Sequence, residues 1–146
     1  MSFHEKSNAV MLGIMALVAV LYVMLVSDQL RGVPADAVGE VRYITTLGFA
    51  VGVFVVLAVV AHILIVAFSV RTDGDEDDVA DERDHLIDLR GERRGGFVLH
   101  VGVLAALMLA LRGGEPFWIA HALLAGLVLA EMVKATSKLV DYRRGV

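Results

Sequence analysis

Four ionisable side chains lie within otherwise apolar stretches of this chain, and their types are those that bind metals, bind haem or carry protons. His62 lies in the second apolar stretch, His100 in the third, and His121 and Glu131 in the fourth. Ionisable residues inside a membrane are functional candidates, because placing them in lipid is costly. His62 and His100 could hold a haem between facing helices. Together with Glu131 they could form a divalent-metal or proton-relay site.

The same side chains also have a purely structural interpretation. His100 and Glu131 lie only about 5–7 Å from the same predicted membrane surface, at about 1.5 Å per helical residue. Glu131 could therefore pair with His100 across a hairpin, or with Lys134 on its own helix. The chain has no phosphate loop, no Gly-x-Ser-x-Gly, no His-Glu-x-x-His and no cysteine. We expect no enzyme activity and no cofactor, with haem or a divalent metal as the open alternative.

Residues 71–95 form the only markedly polar stretch and contain a second candidate site. Carboxylates alternate at Asp73, Asp75 and Asp77, but the glycine and closing glutamate of an EF-hand loop are missing. We interpret this half as a solvated acidic linker, with cation binding as an alternative. The second half predicts a short amphipathic helix with arginines near anionic headgroups. Its candidate interaction motif consists of Asp81, Glu82, Arg83, Asp84, Arg90 and Arg94.

This motif resembles a signature of small uncharacterised prokaryotic four-helix membrane proteins, in which Asp-Glu-Arg-Asp precedes the third membrane helix. The matching residues are Asp81-Glu82-Arg83-Asp84, followed by Ile87, Arg90 and Arg94. The last helix is also similar, at Phe117-Trp118-Ile119-Ala120, Glu131 and Tyr142-Arg143-Arg144-Gly145. The resemblance covers about the second half of the chain. It implies a four-helix topology and brings no established activity.

The elements that position these residues are apolar helices. The 146 residues are 58% hydrophobic and 21% charged, and the net charge of -4 argues against a nucleic-acid partner. Apolar segments span about residues 8–26, 46–70, 96–111 and 116–133. A membrane-spanning helix needs about 20 apolar residues, within a range of about 17–25. We predict an all-α, single-domain polytopic protein with four transmembrane helices, the first retained as a helix instead of cleaved as a signal peptide.

The distribution of basic residues predicts the orientation. Ten of the 13 lysines and arginines flank one side of the predicted bundle, and only Arg31, Arg42 and Arg112 flank the other. Cytoplasmic flanks carry the excess of lysine and arginine. We therefore expect both termini and residues 71–95 to be cytoplasmic, in a prokaryotic inner membrane.

Small residues predict where the helices approach each other, because close backbone packing drives association in lipid. Two stripes recur on helices three and four, at Gly102, Ala106, Ala110 and at Ala122, Gly126, Ala130. Gly48 and Gly52 form a GxxxG on helix two that could face helix one or a second copy, which predicts a homo-oligomer.

The expected function is that of a non-enzymatic membrane scaffold, accessory subunit or signalling component. Its partners would be the lipid bilayer, a larger membrane complex or a cytoplasmic protein. A transporter or redox protein that uses His62, His100 and Glu131 is the alternative.

Overall fold

The chain is all-α. A computed structural model describes residues 3–34, 37–72 and 82–144. The helices are α1 (Phe3–Gln29), α2 (Tyr43–Thr72), α3 (Glu82–Leu111) and α4 (Pro116–Arg144), and a 3₁₀ turn at Val38–Glu40 lies between α1 and α2.

All four helices are long and apolar enough to cross a membrane, which agrees with the prediction from the sequence. The predicted segments 8–26, 46–70, 96–111 and 116–133 each lie inside one of them. Large apolar side chains on the surfaces of α1, α2 and α3 are exposed, including Met24, Phe49 and Leu104. A water-soluble monomer rarely exposes apolar area on this scale, whereas lipid-facing helices do so along their whole length.

The separate amphipathic helix predicted before helix three is not confirmed. Residues 82–95 instead form the first half of α3, which runs without a break from Glu82–Leu111. Thirty residues give a helix about 45 Å long, whereas the hydrocarbon layer is about 30 Å thick. The helix therefore continues well beyond its apolar segment. The acidic stretch before it, including Asp73, Asp75, Asp77 and Asp81, lies outside the described residues.

The helices are not arranged in chain order. α3 packs along α4, α4 also packs on α1, and α1 packs on α2. Helices α2 and α3 are therefore the two outer elements, each with one main neighbour. This arrangement places the N-terminal ends of α1 and α3 beside the C-terminal end of α4.

The α3–α4 pair is held closest where two glycines meet. A Cβ built on Gly102 would lie 2.5 Å from the Cα of Gly126, and one built on Gly126 would lie 2.8 Å from the Cα of Gly102. Ala106 and Ala130 are also buried, so the predicted packing of the two stripes is confirmed at these four positions. Ala110 is exposed and takes no part.

The turn between α3 and α4 is short because glycine ends α3. Gly113 has a φ of +72°, a left-handed conformation that costs glycine little. The Gly113 N–H donates to the carbonyl of Ala110 at 3.0 Å, and the Gly114 N–H donates to that of Leu109 at 2.9 Å. These two bonds are the Schellman motif of a helix C-terminus. Pro116 then begins α4, at a position where its missing N–H costs no hydrogen bond.

Candidate functional site

A polar region lies where the α3–α4 pair extends past the apolar segments. We call it the polar extension and define it as residues 82–95 of α3 with residues 134–144 of α4. The two helix ends carry opposite charges, with Glu82 and Asp84 in the first turn of α3 and Arg143 and Arg144 in the last turn of α4. Each sign opposes the local helix dipole and is stabilising there.

Two lysines on α4 lie across two glycines on α3. A Cβ on Gly91 would lie 2.7 Å from the Cγ of Lys138, and one on Gly95 would lie 3.0 Å from the Cβ of Lys134. The missing side chains leave room for the aliphatic part of each lysine, and Lys138 is mostly buried as a result. The extension is therefore packed by lysine stems where the apolar part of the pair is packed by glycine and alanine.

The ammonium groups of these lysines reach carboxylates on α3. Lys138 Nζ lies 2.9 Å from Asp88 Oδ1, and Lys134 Nζ lies 3.2 Å from Glu92 Oε1. Lys134 also pairs with Glu131 at 2.9 Å, one turn back on its own helix. The carboxylates of Asp88 and Glu92 are more than half exposed, and ion pairs at a protein surface contribute about 0.2–1 kcal/mol each. The two pairs between the helices, Lys138 with Asp88 and Lys134 with Glu92, depend on the register of α3 against α4.

A second polar contact joins the helices on another side. Arg94 donates to the Ser137 hydroxyl and, at 3.0 Å, to Asp141 Oδ2. The Asp141 side chain is almost fully buried, so the arginine provides the charge partner that a buried carboxylate requires. Arg83 donates to the backbone carbonyl of Tyr142 at 3.3 Å. Polar contacts therefore follow the extension nearly to its end.

The interior of the extension contains apolar side chains beside the buried Ser137 and Asp141. Ile87 is 0% exposed. Tyr142 lies beyond the apolar segment of α4, and partial burial together with the nearby Asp84 carboxylate raises its pKa to about 12. Both effects disfavour the phenolate. The extension has a core of its own.

The predicted interaction motif contains residues that contact α4 and residues that do not. Arg83 and Arg94 point towards α4, and Asp84 is half-buried beside Tyr142. Glu82 and Arg90 are exposed, and Asp81 lies outside the described residues. Half of the motif thus holds the hairpin together.

The face of α3 that points away from α4 carries a different set of side chains. Leu86 and Leu89 are 52% and 54% exposed, and Phe97, at the start of the apolar segment, is 71% exposed. Arg90 and Arg93 are exposed on the same face and form no ion pair with a residue that the structure describes. We call these five residues the outer face.

The predicted metal or haem ligands lie on separate surfaces. His62 is exposed on α2, and His100 is exposed on α3, where its Nδ1 lies 2.6 Å from the carbonyl of Gly96 on the same helix. Glu131 pairs with Lys134. Within residues 3–34, 37–72 and 82–144, no three histidine or acidic side chains lie close enough together to hold a metal ion.

His121, by contrast, is the centre of an aromatic cluster at the opposite end of the bundle. Its Nδ1–H donates to the carbonyl of Phe117 at 2.7 Å, which leaves Nε2 to accept a hydrogen bond from the Tyr22 hydroxyl at 2.9 Å. Its ring also packs against those of Phe117 and Tyr43, with centroids 4.1 and 5.5 Å away. The cluster joins α1, α2 and α4.

Sequence reasoning missed the pairing of lysines with glycines. The signal is present, because an acidic residue precedes a glycine by three positions twice, at Asp88-Gly91 and at Glu92-Gly95. Lys134 and Lys138 repeat at the matching spacing of four. Only the register of α3 against α4 shows that the two patterns face each other.

The GxxxG of α2 does not face α1. Cβ atoms added to Gly48 and Gly52 would meet nothing within 4 Å. These glycines lie on the outer surface of α2, which leaves the homo-oligomer as a prediction.

Comparison with protein families, with curated proteins and with solved structures returned no match to this chain. The resemblance to small prokaryotic membrane proteins therefore stays a prediction. The function has to be argued from the geometry of the chain itself.

Proposed function

We propose that this chain is a non-enzymatic membrane scaffold or accessory subunit that presents the polar extension to a protein partner. The observation that supports the proposal is the exposure of Leu86 and Leu89 on a helix pair that is otherwise packed and ion-paired. A rigid surface with exposed apolar side chains binds a partner at a lower entropic cost than a flexible segment does.

The position of the two leucines favours a protein over lipid as the contact. Measured from the start of the apolar segment at residue 96, Leu89 lies about 10 Å and Leu86 about 15 Å along the helix. The headgroup layer is only about 5–8 Å thick on each side. The leucines therefore project into water, where exposed apolar side chains on one helix face suit a helix or groove of another protein.

The proposed setting is a prokaryotic inner membrane with the polar extension on the cytoplasmic side, supported by the excess of basic residues there. The chain has no cysteine, so single cysteines report topology without background. We expect Glu82→Cys to react with a membrane-impermeant maleimide only after the cells are opened. Arg112→Cys should react in intact cells. The reverse pattern would overturn the orientation.

The partner is tested by extracting the chain from its native membrane in mild detergent and measuring the mass of the complex. We expect the wild type to migrate as a complex that contains a second protein, and a Leu86→Ser, Leu89→Ser variant to lose that protein. Leu104→Ser is the matched control, since this exposed leucine of α3 lies within the apolar segment. A wild type that carries no second protein would contradict the proposal.

An absorption spectrum with metal analysis separates this proposal from a redox or transport function based on His62, His100 and Glu131. The scaffold proposal expects no Soret band and no stoichiometric metal in the purified protein. Either signal would favour the redox or transport function.

A further inference from the structure

We propose that Arg90, Arg93 and Phe97 form a binding site for an anionic phospholipid on the outer face of α3. The site differs from the leucine surface proposed above, and neither proposal depends on the other. Its basis is the contrast between these two arginines and the other cations of the polar extension.

Most of the cations that point towards α3 or α4 already have a partner. Lys134 and Lys138 pair with Glu92 and Asp88, and Arg94 pairs with Asp141. Asp88 and Glu92 are paired with lysines of α4, and Glu82 lies two turns before Arg90, so the part of the outer face nearest the apolar segment keeps the positive charge of Arg90 and Arg93. The two arginines are three residues apart and therefore lie on the same side of the helix.

Along α3, Arg93 lies at the level of the headgroup layer and Arg90 lies just beyond it. Arg93 lies about 4–5 Å and Arg90 about 9 Å along the helix from residue 96. The headgroup layer is about 5–8 Å thick. Arginine side chains are long enough to turn back towards it, so both guanidinium groups can reach one phosphate. A guanidinium binds phosphate in a two-pronged hydrogen-bonded geometry that an ammonium cannot form.

Phe97 extends the same stripe one turn beyond Arg93, to the start of the apolar segment. Its side chain is 71% exposed, and the main neighbour of α3 is α4 alone. A ring in this position lies beside acyl chains when the phosphate is at the arginines. Two cations above an exposed aromatic ring fit a lipid with a negatively charged headgroup, and this combination favours a lipid over a free anion.

The opposite end of the bundle provides a comparison within the same molecule. There Arg31 pairs with Asp28 at 3.5 Å, and the exposed Arg112 is followed three residues later by Glu115. No two arginines are spaced there as Arg90 and Arg93 are. We therefore assign the anionic lipid to the end with the polar extension.

The test is native mass spectrometry of the purified full-length chain in non-ionic detergent, with phosphatidylglycerol and phosphatidylcholine of identical acyl chains. A basic residue near anionic headgroups contributes about fivefold in affinity. We expect the wild type to prefer phosphatidylglycerol, and Arg90→Gln, Arg93→Gln to lower that preference by roughly 10- to 30-fold. Both side chains are exposed and unpaired among the described residues, so this variant should fold as the wild type does.

Three further measurements make the result specific. Arg112→Gln should leave the preference unchanged, and Arg90→Lys, Arg93→Lys should keep part of it. Glycerol phosphate should not displace the bound lipid, because it lacks the acyl chains that lie beside Phe97. Equal binding of the two lipids by the wild type would overturn the proposal, as would an undiminished preference in the glutamine variant. Displacement by glycerol phosphate would overturn the lipid as the ligand.

Discussion

Gly102→Ala is the substitution that most directly tests how the α3–α4 pair is held together. The new Cβ would lie 2.5 Å from the Cα of Gly126, with the backbone carbon of the same residue at 3.5 Å. Ordinary contacts between carbon atoms are about 3.5–4.0 Å long. The helices must therefore separate locally by about 1 Å, and a backbone atom cannot rotate away as a side chain would.

The cost follows from that separation. Inserting one carbon into a well-packed contact typically costs about 1–3 kcal/mol. Alanine also favours a helix over glycine by about 1 kcal/mol in water, which offsets part of the loss. We expect a net destabilisation of up to about 2 kcal/mol. Dispersion contacts on both sides of the glycine pair weaken at once, because attraction falls steeply over a gap of 0.5–1 Å.

The assay is unfolding of the purified chain in mixed micelles, followed by circular dichroism and by the fluorescence of Trp118, the only tryptophan. Gly96→Ala is the matched control on the same helix, since a Cβ there meets nothing within 4 Å. The control should be neutral or stabilising. Equal effects of the two substitutions would refute the close-packing argument.

The reciprocal substitution gives an independent check. Gly126→Ala places its Cβ 2.8 Å from the Cα of Gly102. Once one alanine has separated the helices, the second costs less, so the double variant should be less destabilised than the sum of the single ones. Strict additivity would mean that the two glycines do not touch.

Three further outcomes follow from the contacts described above. In a double-mutant cycle, Tyr22→Phe and His121→Phe should show a coupling of about 0.6 kcal/mol and at most about 1.7, the range for hydrogen bonds in membrane bundles; zero coupling would mean that the bond does not form. Asp141→Asn should lower the free energy of unfolding by about 1 kcal/mol, because it replaces the charged acceptor of Arg94 with a neutral one, and a neutral result would contradict the ion pair. Glu131→Gln should lower the free energy of unfolding by about 0.5 kcal/mol or less. The loss should be equal at pH 5 and pH 8, since Lys134 stays protonated throughout. A larger loss at pH 5 would indicate that Glu131 pairs with a histidine.

The position of the helices could be predicted from the sequence, but their ends could not. Hydropathy located four segments, and each lies in one helix of the structure. For the third segment, residues 96–111 mark only where the apolar side chains lie, whereas α3 begins at Glu82. Backbone hydrogen bonding of an α-helix continues past the edge of an apolar segment as long as side chains tolerate it. The acidic residues in the first turn and the buried Ile87 stabilise this part of α3. The helix therefore begins fourteen residues before the apolar segment.

The ion pairs of the candidate site could not be predicted from the sequence. The spacing of charged residues along one helix does not show which of them pair with residues of another helix. In the sequence, Arg94 stands with Arg90 as part of one basic face. In the structure, Arg94 binds Asp141 while Arg90 is exposed. The difference depends on a contact across more than forty residues of sequence, which no local pattern contains.

The register of α3 against α4 determines which charged residues form ion pairs. The apolar segments of the two helices fix that register. The two helices meet at Gly102 and Gly126, and the short turn allows little sliding between them. Eleven residues back from Gly102 is Gly91, and twelve residues on from Gly126 is Lys138, which lies across it. The glycine contact within the apolar segment therefore determines which lysine meets which carboxylate in the polar extension. Arg90 and Arg93 remain on the outer face because this same register turns them away from every acidic residue of α4.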